Sequence, residues 1–165
     1  MKKLEQTGVT LKKEKCQFYV RKVKFLGHVV DENGIRPDPS KVAAINEMSE
    51  PRDLPQVRRI LGTINQLGKF VPGLSDTLKR LNELLKKDRE FVWEAPQRKE
   101  FKEITNILTT EPVLSLYDPK LQTKISADSS SYGLGACLLQ INEKGKTSRV
   151  SYASRTLTAT ERRYA

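Results

Sequence analysis

Ile125-Ser126-Ala127-Asp128-Ser129-Ser130-Ser131-Tyr132-Gly133-Leu134-Gly135-Ala136-Cys137-Leu138-Leu139 decides how the C-terminal part of this sequence folds. It reads as a β-strand ending in a lone Asp, a tight polar turn, and a second strand opened by glycines. Outward from it, 120–128, 133–140 and 147–154 read as three antiparallel strands, with a turn at Asn142–Lys146 that uses Gly145. Pro112-Val113-Leu114 begins this β-rich region. Thr158-Ala159-Thr160-Glu161 opens a helical turn, with Glu161 as an acid at a helix N-terminus. A three-stranded sheet with uncovered faces is a poor independent fold. It is therefore expected to be incomplete or to lean on what precedes it.

The preceding residues are mostly helical. Asp38-Pro39 and Asp53-x-Pro55 are helix starts, each with an Asp cap and a Pro in the first turn. Val42, Ile45 and Met48 follow the first, which Glu50-Pro51 breaks. Val57, Ile60, Leu61, Ile64, Leu67 and Val71 form one apolar stripe after the second, which ends at Val71-Pro72-Gly73. Its other face carries Arg58, Arg59, Gly62, Asn65, Gln66 and Lys69 and no acid. Leu74, Leu78, Leu81 and Leu85 predict a third helix with a basic end at Lys86 and Lys87. Phe91-Val92-Trp93 reads as extended, and 97–109 as a helix with Phe101, Ile104 and Leu108 inward. Nearer the start, Gly8 closes a short helix. The runs 15–20 and 22–30 predict a β-hairpin joined by a basic turn, followed by a tight turn at Asp31-Glu32-Asn33-Gly34. The expected fold class is α+β: a β-hairpin, a helical bundle, then a three-stranded antiparallel sheet. The expected regions are 1–36, 37–111 and 112–165, with the main boundary near Glu111-Pro112.

Composition narrows the function classes. The 165 residues carry 30 Lys+Arg against 20 Asp+Glu, a net charge of +10, which favours polyanionic partners, nucleic acid first. No apolar run is long enough to span a bilayer, no signal peptide opens the chain, and no basic segment presents exposed aromatics to a membrane surface. Cys16 and Cys137 have no Cys or His at metal spacing, so both read as small buried hydrophobes in a reducing, intracellular setting. His28 is the only His, which excludes a zinc site and any triad built on imidazole.

Several motifs in order resemble the polymerase of gypsy-type long-terminal-repeat retroelements. They are Gly8-Val9-Thr10-Leu11 with 14–18, Val23 to Val30, Gly34 to Lys41, Phe91-Val92-Trp93, Pro112-Val113-Leu114, Asp128 to Ala136, and Tyr152-Ala153-Ser154-Arg155 with Leu157-Thr158 and Glu161-Arg162. The resemblance covers essentially the whole chain. It implies the end of a reverse-transcriptase palm (1–36), a thumb and connection (37–111), and a truncated ribonuclease H region (112–165).

On that resemblance, Phe25-Leu26-Gly27-His28 is similar to the primer grip, where a Gly lets backbone approach the sugar-phosphate closely. The Arg58, Arg59, Gly62, Asn65, Gln66 and Lys69 face is similar to the thumb helix that follows the minor groove. Its cations would meet phosphates and its amides the groove acceptors. Asp128 matches the first metal-binding carboxylate of ribonuclease H, a Mg²⁺ ligand. Ser129 stands where the family usually has Ala, and Ser131 where it often has an acid. The remaining ribonuclease H carboxylates and the polymerase's paired Asp are not in this sequence. The resemblance therefore implies a fragment whose parent uses Mg²⁺ but which binds none stably itself. Its implied partners are an RNA–DNA hybrid or DNA duplex and the rest of the polyprotein, in cytoplasm, virus-like particle or nucleus, with no membrane. Two other readings stay open: a nuclease completed by a carboxylate such as Asp118 or by a second copy, and a protein-interaction module or assembly subunit derived from a retroelement.

Overall fold

A computed structural model of the chain describes residues 2–86, 90–110 and 112–164. Lys87 and Glu111, invoked above as a basic helix end and a region boundary, lie outside the described residues. A short helix α1 (Lys2–Gln6) ends at Gly8, whose φ is +69°. The first sheet has the order β1 (Lys22–Phe25), β2 (His28–Asp31), β3 (Gly34–Pro37), all antiparallel.

This first sheet corrects the expected hairpin. Residues 15–20 form no strand, and the hairpin closes instead at Leu26-Gly27, with Phe25 opposite His28. Both turn residues have positive φ, +49° and +78°, as a two-residue turn matching the strand twist requires. The apolar run around Phe18-Tyr19-Val20 stays exposed. β propensity needs a partner surface to act on, and this run has none among the described residues. The expected turn at 31–34 is present, and beyond it the chain adds β3. There Ile35 and Leu114 exchange backbone hydrogen bonds of 2.7 and 2.8 Å. Gly34 makes this possible: its φ is +129°, and a Cβ would run into the Leu114 carbonyl.

Helix α2 (Pro39–Asn46) starts where Asp38 accepts from the Ser40 N–H at 3.0 Å. Helix α3 (Leu54–Gln66) starts where Asp53 accepts from the Gln56 N–H at 2.8 Å. Both helices end earlier than expected, at Asn46 and Gln66, and a 3-10 turn over Gly68–Phe70 follows α3. The expected third helix is two short ones, α4 (Leu74–Thr77) and α5 (Lys79–Glu83), broken at Leu78. The break is held from outside. Glu100, on α6 (Ala95–Thr109), accepts from the N–H groups of Arg80 and Leu81 at 2.9 and 3.2 Å, capping the first turn of α5. The apolar stripe of α3, Ile45, Phe70, the leucines of 74–84, Ile104, Leu108 and Leu114 make one core.

The second sheet has the order β4 (Gln122–Ser129), β5 (Gly133–Ile141), β6 (Thr147–Thr156). It leans on the bundle, one of the two outcomes the sequence left open. Ser75 on α4 receives Ser154 twice: its N–H donates to Ser154 Oγ at 2.9 Å, and the hydroxyls lie 2.6 Å apart. Tyr132 is buried between the Lys79 ammonium and the Arg162 guanidinium, 5.0 and 4.9 Å from its ring. Gln140, fully buried, accepts from the Asp118 N–H at 2.9 Å and donates to the Asp118 carbonyl at 2.7 Å. No helix among the described residues is long and apolar enough to cross a membrane.

Candidate nucleic-acid interface

The α3 face and the β1–β2 turn, 25 or more residues apart in sequence, meet in space. Arg58, Arg59, Gly62, Asn65 and Gln66 are exposed along α3, and Lys69 is half-buried in the turn after it. Lys41, from α2, bridges to them. Its Nζ donates to Gln66 Oε1 at 2.6 Å, and its Cε and Nζ lie 2.7 Å from where a Gly27 Cβ would stand. A side chain at 27 would displace this lysine, so Gly27 serves the cluster as well as the turn. His28 stacks edge-on to Phe70, with ring centroids 5.4 Å apart, and the Lys69 ammonium sits 5.1 Å from the same ring. Phe25 and Leu26 at the tip are 63% and 78% exposed. Leu26 is a non-Gly residue in the left-handed region, a backbone conformation that costs about 1–2 kcal/mol and that clusters at ligand clamps.

The electrostatics are one-sided. Arg58, Arg59, Lys41 and Lys69 make no ion pair with any described residue. Burial depresses the Lys69 ammonium. Burial, then the charges of Lys69 and Lys41, lower His28, whose Nδ1 is buried without a partner. Uncompensated cations beside a strained, exposed turn form a surface suited to an anion track. Lys41 was not singled out by the sequence reading. Its only sequence signal is its place at the end of the Gly34–Lys41 motif, since nothing local announces a contact 25 residues away.

Gly62 has no structural use in this fold: a Cβ added there would meet nothing within 4 Å. Gly inside a helix costs about 0.5–1 kcal/mol relative to Ala. Gly62→Ala is therefore expected to raise stability by about that amount in urea unfolding. If the face carries a duplex, the same change lowers duplex affinity, because the added methyl stands where the sugar-phosphate would approach.

Asp128 sits at the exposed end of β4, where its Oδ1 accepts from the Ser129 N–H at 2.9 Å. It lines a cleft of about 300 Å³ with Pro72, Gly73, Asp76, Ser126 and Cys137. Asp76 Oδ1 is already held by Ser130 Oγ at 2.8 Å. Among the described residues no group of three or more His, Cys, Asp or Glu is placed to hold a metal. Asp128 suits Mg²⁺ as a hard oxygen ligand, yet this donor set does not make the two-metal arrangement that hybrid cleavage needs. The structure also removes Asp118 as its complement within one chain. Gln140 fixes Asp118 beside Thr123, five residues along β4 from Asp128 and so about 17 Å away at strand spacing. Glu161 is committed elsewhere. It pairs with both Arg155 nitrogens at 2.6 and 2.8 Å and exchanges capping bonds with Thr158. The Arg155 bonds and the Thr158 N–H hold its carboxyl down at about 2.

Residues 93–165 match the model of the RNase H-like domain found in reverse transcriptase. The Tf2-3 and Tf2-4 transposon polyproteins of Schizosaccharomyces pombe (strain 972 / ATCC 24843) are each 29% identical over 164 residues, 99% of this chain. The chain resembles a part of retroelement pol polyproteins. It spans 12% of the length of those relatives. Among solved structures, the foamy viral protease-reverse transcriptase in complex with RNA/DNA hybrid superposes with a TM-score of 0.75 at 24% identity, over 90% of this chain and 20% of that one. The same enzyme in complex with dsDNA gives 0.74 at 24% identity, over 90% of this chain and 31% of that one. The likeness to these structures is one of fold: mixed helices and antiparallel sheets, as in a reverse transcriptase and RNase H-like α+β architecture.

Proposed function

We propose that this chain is a nucleic-acid-binding portion of a gypsy-type retroelement reverse transcriptase–ribonuclease H. In this reading 1–36 is the end of the palm with its primer grip, 37–111 the thumb and connection, and 112–165 the ribonuclease H-like part. Arg58, Arg59, Lys41 and Lys69 contact phosphates. Gly62, Asn65 and Gln66 lie on the groove, and Phe25-Leu26-Gly27-His28 holds a strand end. The remainder of the polyprotein supplies the other catalytic groups, and Asp128 is its first Mg²⁺ ligand, binding the ion only weakly in this chain alone.

The observation that carries the proposal is the Lys41 bridge: it joins the turn and the α3 face into one cationic surface with no acid paired to it. The two solved foamy viral complexes, described as holding an RNA/DNA hybrid and dsDNA, agree with a duplex as the partner. The test is titration of labelled RNA–DNA hybrid and DNA duplex by fluorescence anisotropy over a series of salt concentrations. Four phosphate contacts predict a log K against log salt slope of about −3.6. Added Mg²⁺ is expected to leave the hybrid uncut. A flat salt dependence sinks the binding reading, and Mg²⁺-dependent cleavage abolished by Asp128→Asn replaces it with the nuclease reading.

A further inference from the structure

Gln66 is the last residue of α3, and its side chain has one hydrogen bond among the described residues: Oε1 accepts from Lys41 Nζ at 2.6 Å. That bond decides which way the amide points. A lysine ammonium has three donors and no acceptor, so only the carbonyl oxygen of the amide can face it. The amide nitrogen of this exposed residue then points away from Lys41, with both of its N–H groups unbonded to any described residue. Asn65 beside it is exposed too, but no described residue bonds its side chain, so its amide is free to turn over.

Lys41 is itself held in place by the fold. The Asp38 N–H donates to the Gly27 carbonyl at 3.1 Å, which ties the start of α2 to the β1–β2 turn. Lys41 follows in the first turn of α2, its N–H donating to the Asp38 carbonyl at 2.9 Å. Its side chain passes over Gly27, where a Cβ would come within 2.7 Å of Cε and Nζ. It ends at the C-terminal residue of α3, the end of a helix that favours a cation. No described acid pairs with the ammonium.

We propose that Lys41 is a positioning residue for duplex recognition: by holding the Gln66 carbonyl it presents the Gln66 N–H groups, and not the carbonyl, to the minor groove. This rests on the reading of the α3 face as the one that follows a duplex. The chemistry fits that partner. The minor groove offers acceptors, purine N3 and pyrimidine O2, and A·T and T·A pairs show nothing else there. A fixed donor is met by either orientation of the pair, whereas a carbonyl turned to the groove would set acceptor against acceptor. Fixing the side chain in advance also raises affinity. Immobilising a free glutamine on binding costs about as much as one hydrogen bond returns. A side chain already held by Lys41 keeps that return. The other donors of the ammonium are left for a phosphate.

The experiment has two arms on the 165-residue chain. In NMR relaxation of the free, unmodified chain, the Gln66 side-chain amide is expected to be ordered and that of Asn65 mobile, and Lys41→Met releases Gln66. In titrations of RNA–DNA hybrid at one salt concentration, Gln66→Met is expected to weaken binding about threefold to tenfold with Lys41 present. In the Lys41→Met background the same change costs less than about twofold, a coupling that a purely structural lysine would not produce. Equal losses in the two backgrounds overturn the proposal, since Lys41 would then act on phosphate alone. So does a Gln66 amide as mobile as that of Asn65 in the unmodified chain, a readout that no misfolded variant can obscure. A chain with an ordered Gln66 amide that binds no duplex at low salt overturns the reading of the α3 face and this proposal with it. Binding with a steep salt dependence but no coupling leaves that reading standing and removes this proposal alone.

Discussion

Replacing both Arg58 and Arg59 by Ala is expected to weaken hybrid binding about 60-fold at 0.1 M monovalent salt, with no matching loss of stability. Each phosphate neutralised adds about 0.9 to the salt slope. Two lost contacts remove about 1.8 from it, and one decade below the 1 M reference this is about 1.8 log units of affinity. Both side chains are exposed and neither is ion-paired to a described residue, so their removal leaves folding within about 0.5 kcal/mol. The slope is the decisive quantity. A loss of affinity equal at all salt concentrations would mean that the arginines shape the helix or contact bases and not phosphates. Unchanged affinity would move the interface off α3.

The parts of the fold that were legible in the sequence are those set by local chemistry. Asp38-Pro39 and Asp53-x-Pro55 specify helix starts because the cap and the fixed proline φ act within a single turn, and both Asp carboxylates accept the expected N–H. The stripe Val57 to Ile64 is buried as its 3.6 period demands. The three C-terminal strands fall within two residues of their expected limits, since Gly133 and Gly145 punctuate them. What was not legible depends on distant partners. The run 15–20 has strand composition but no strand beside it, whereas 34–37 has poor strand composition and becomes β3 because the chain folds back on β2 at the 31–34 turn, with Leu114 bridging to Ile35 on its other side. The new helix start after Leu78 is capped by Glu100, on another helix. The same division runs through the candidate site. The cationic and amide face of α3 follows from spacing along one helix. Lys41 and the separation of Asp118 from Asp128 follow from packing and could not be read from spacing.

Phe70→Ala is expected to cost about 3–5 kcal/mol, against a total of about 5–15 kcal/mol for a domain. Phe70 is 1% exposed, in the 3-10 turn where α3, the first sheet and β6 come together. Its ring is the only surface on which His28 stacks edge-on among the described residues, and Lys69 sits over it. Urea unfolding with an unchanged m-value measures the loss. A pH series tests the mechanism. His28 is held below its ordinary value of 6.5 by burial and by Lys69 and Lys41, so below that pH the unfolded chain binds the proton more readily. Stability of the parent chain therefore falls as pH drops through 6.5 towards the lowered value, and is fully present above 6.5. Removing the Phe70 ring opens the site to water, brings His28 back towards 6.5 and flattens that dependence. Phe70→Leu, which keeps most of the volume, retains both stability and pH slope. A Phe70→Ala chain that is destabilised yet keeps the full slope would show that His28 is depressed by the lysines alone, and that the turn is held against α3 by Lys41 and not by the aromatic contact.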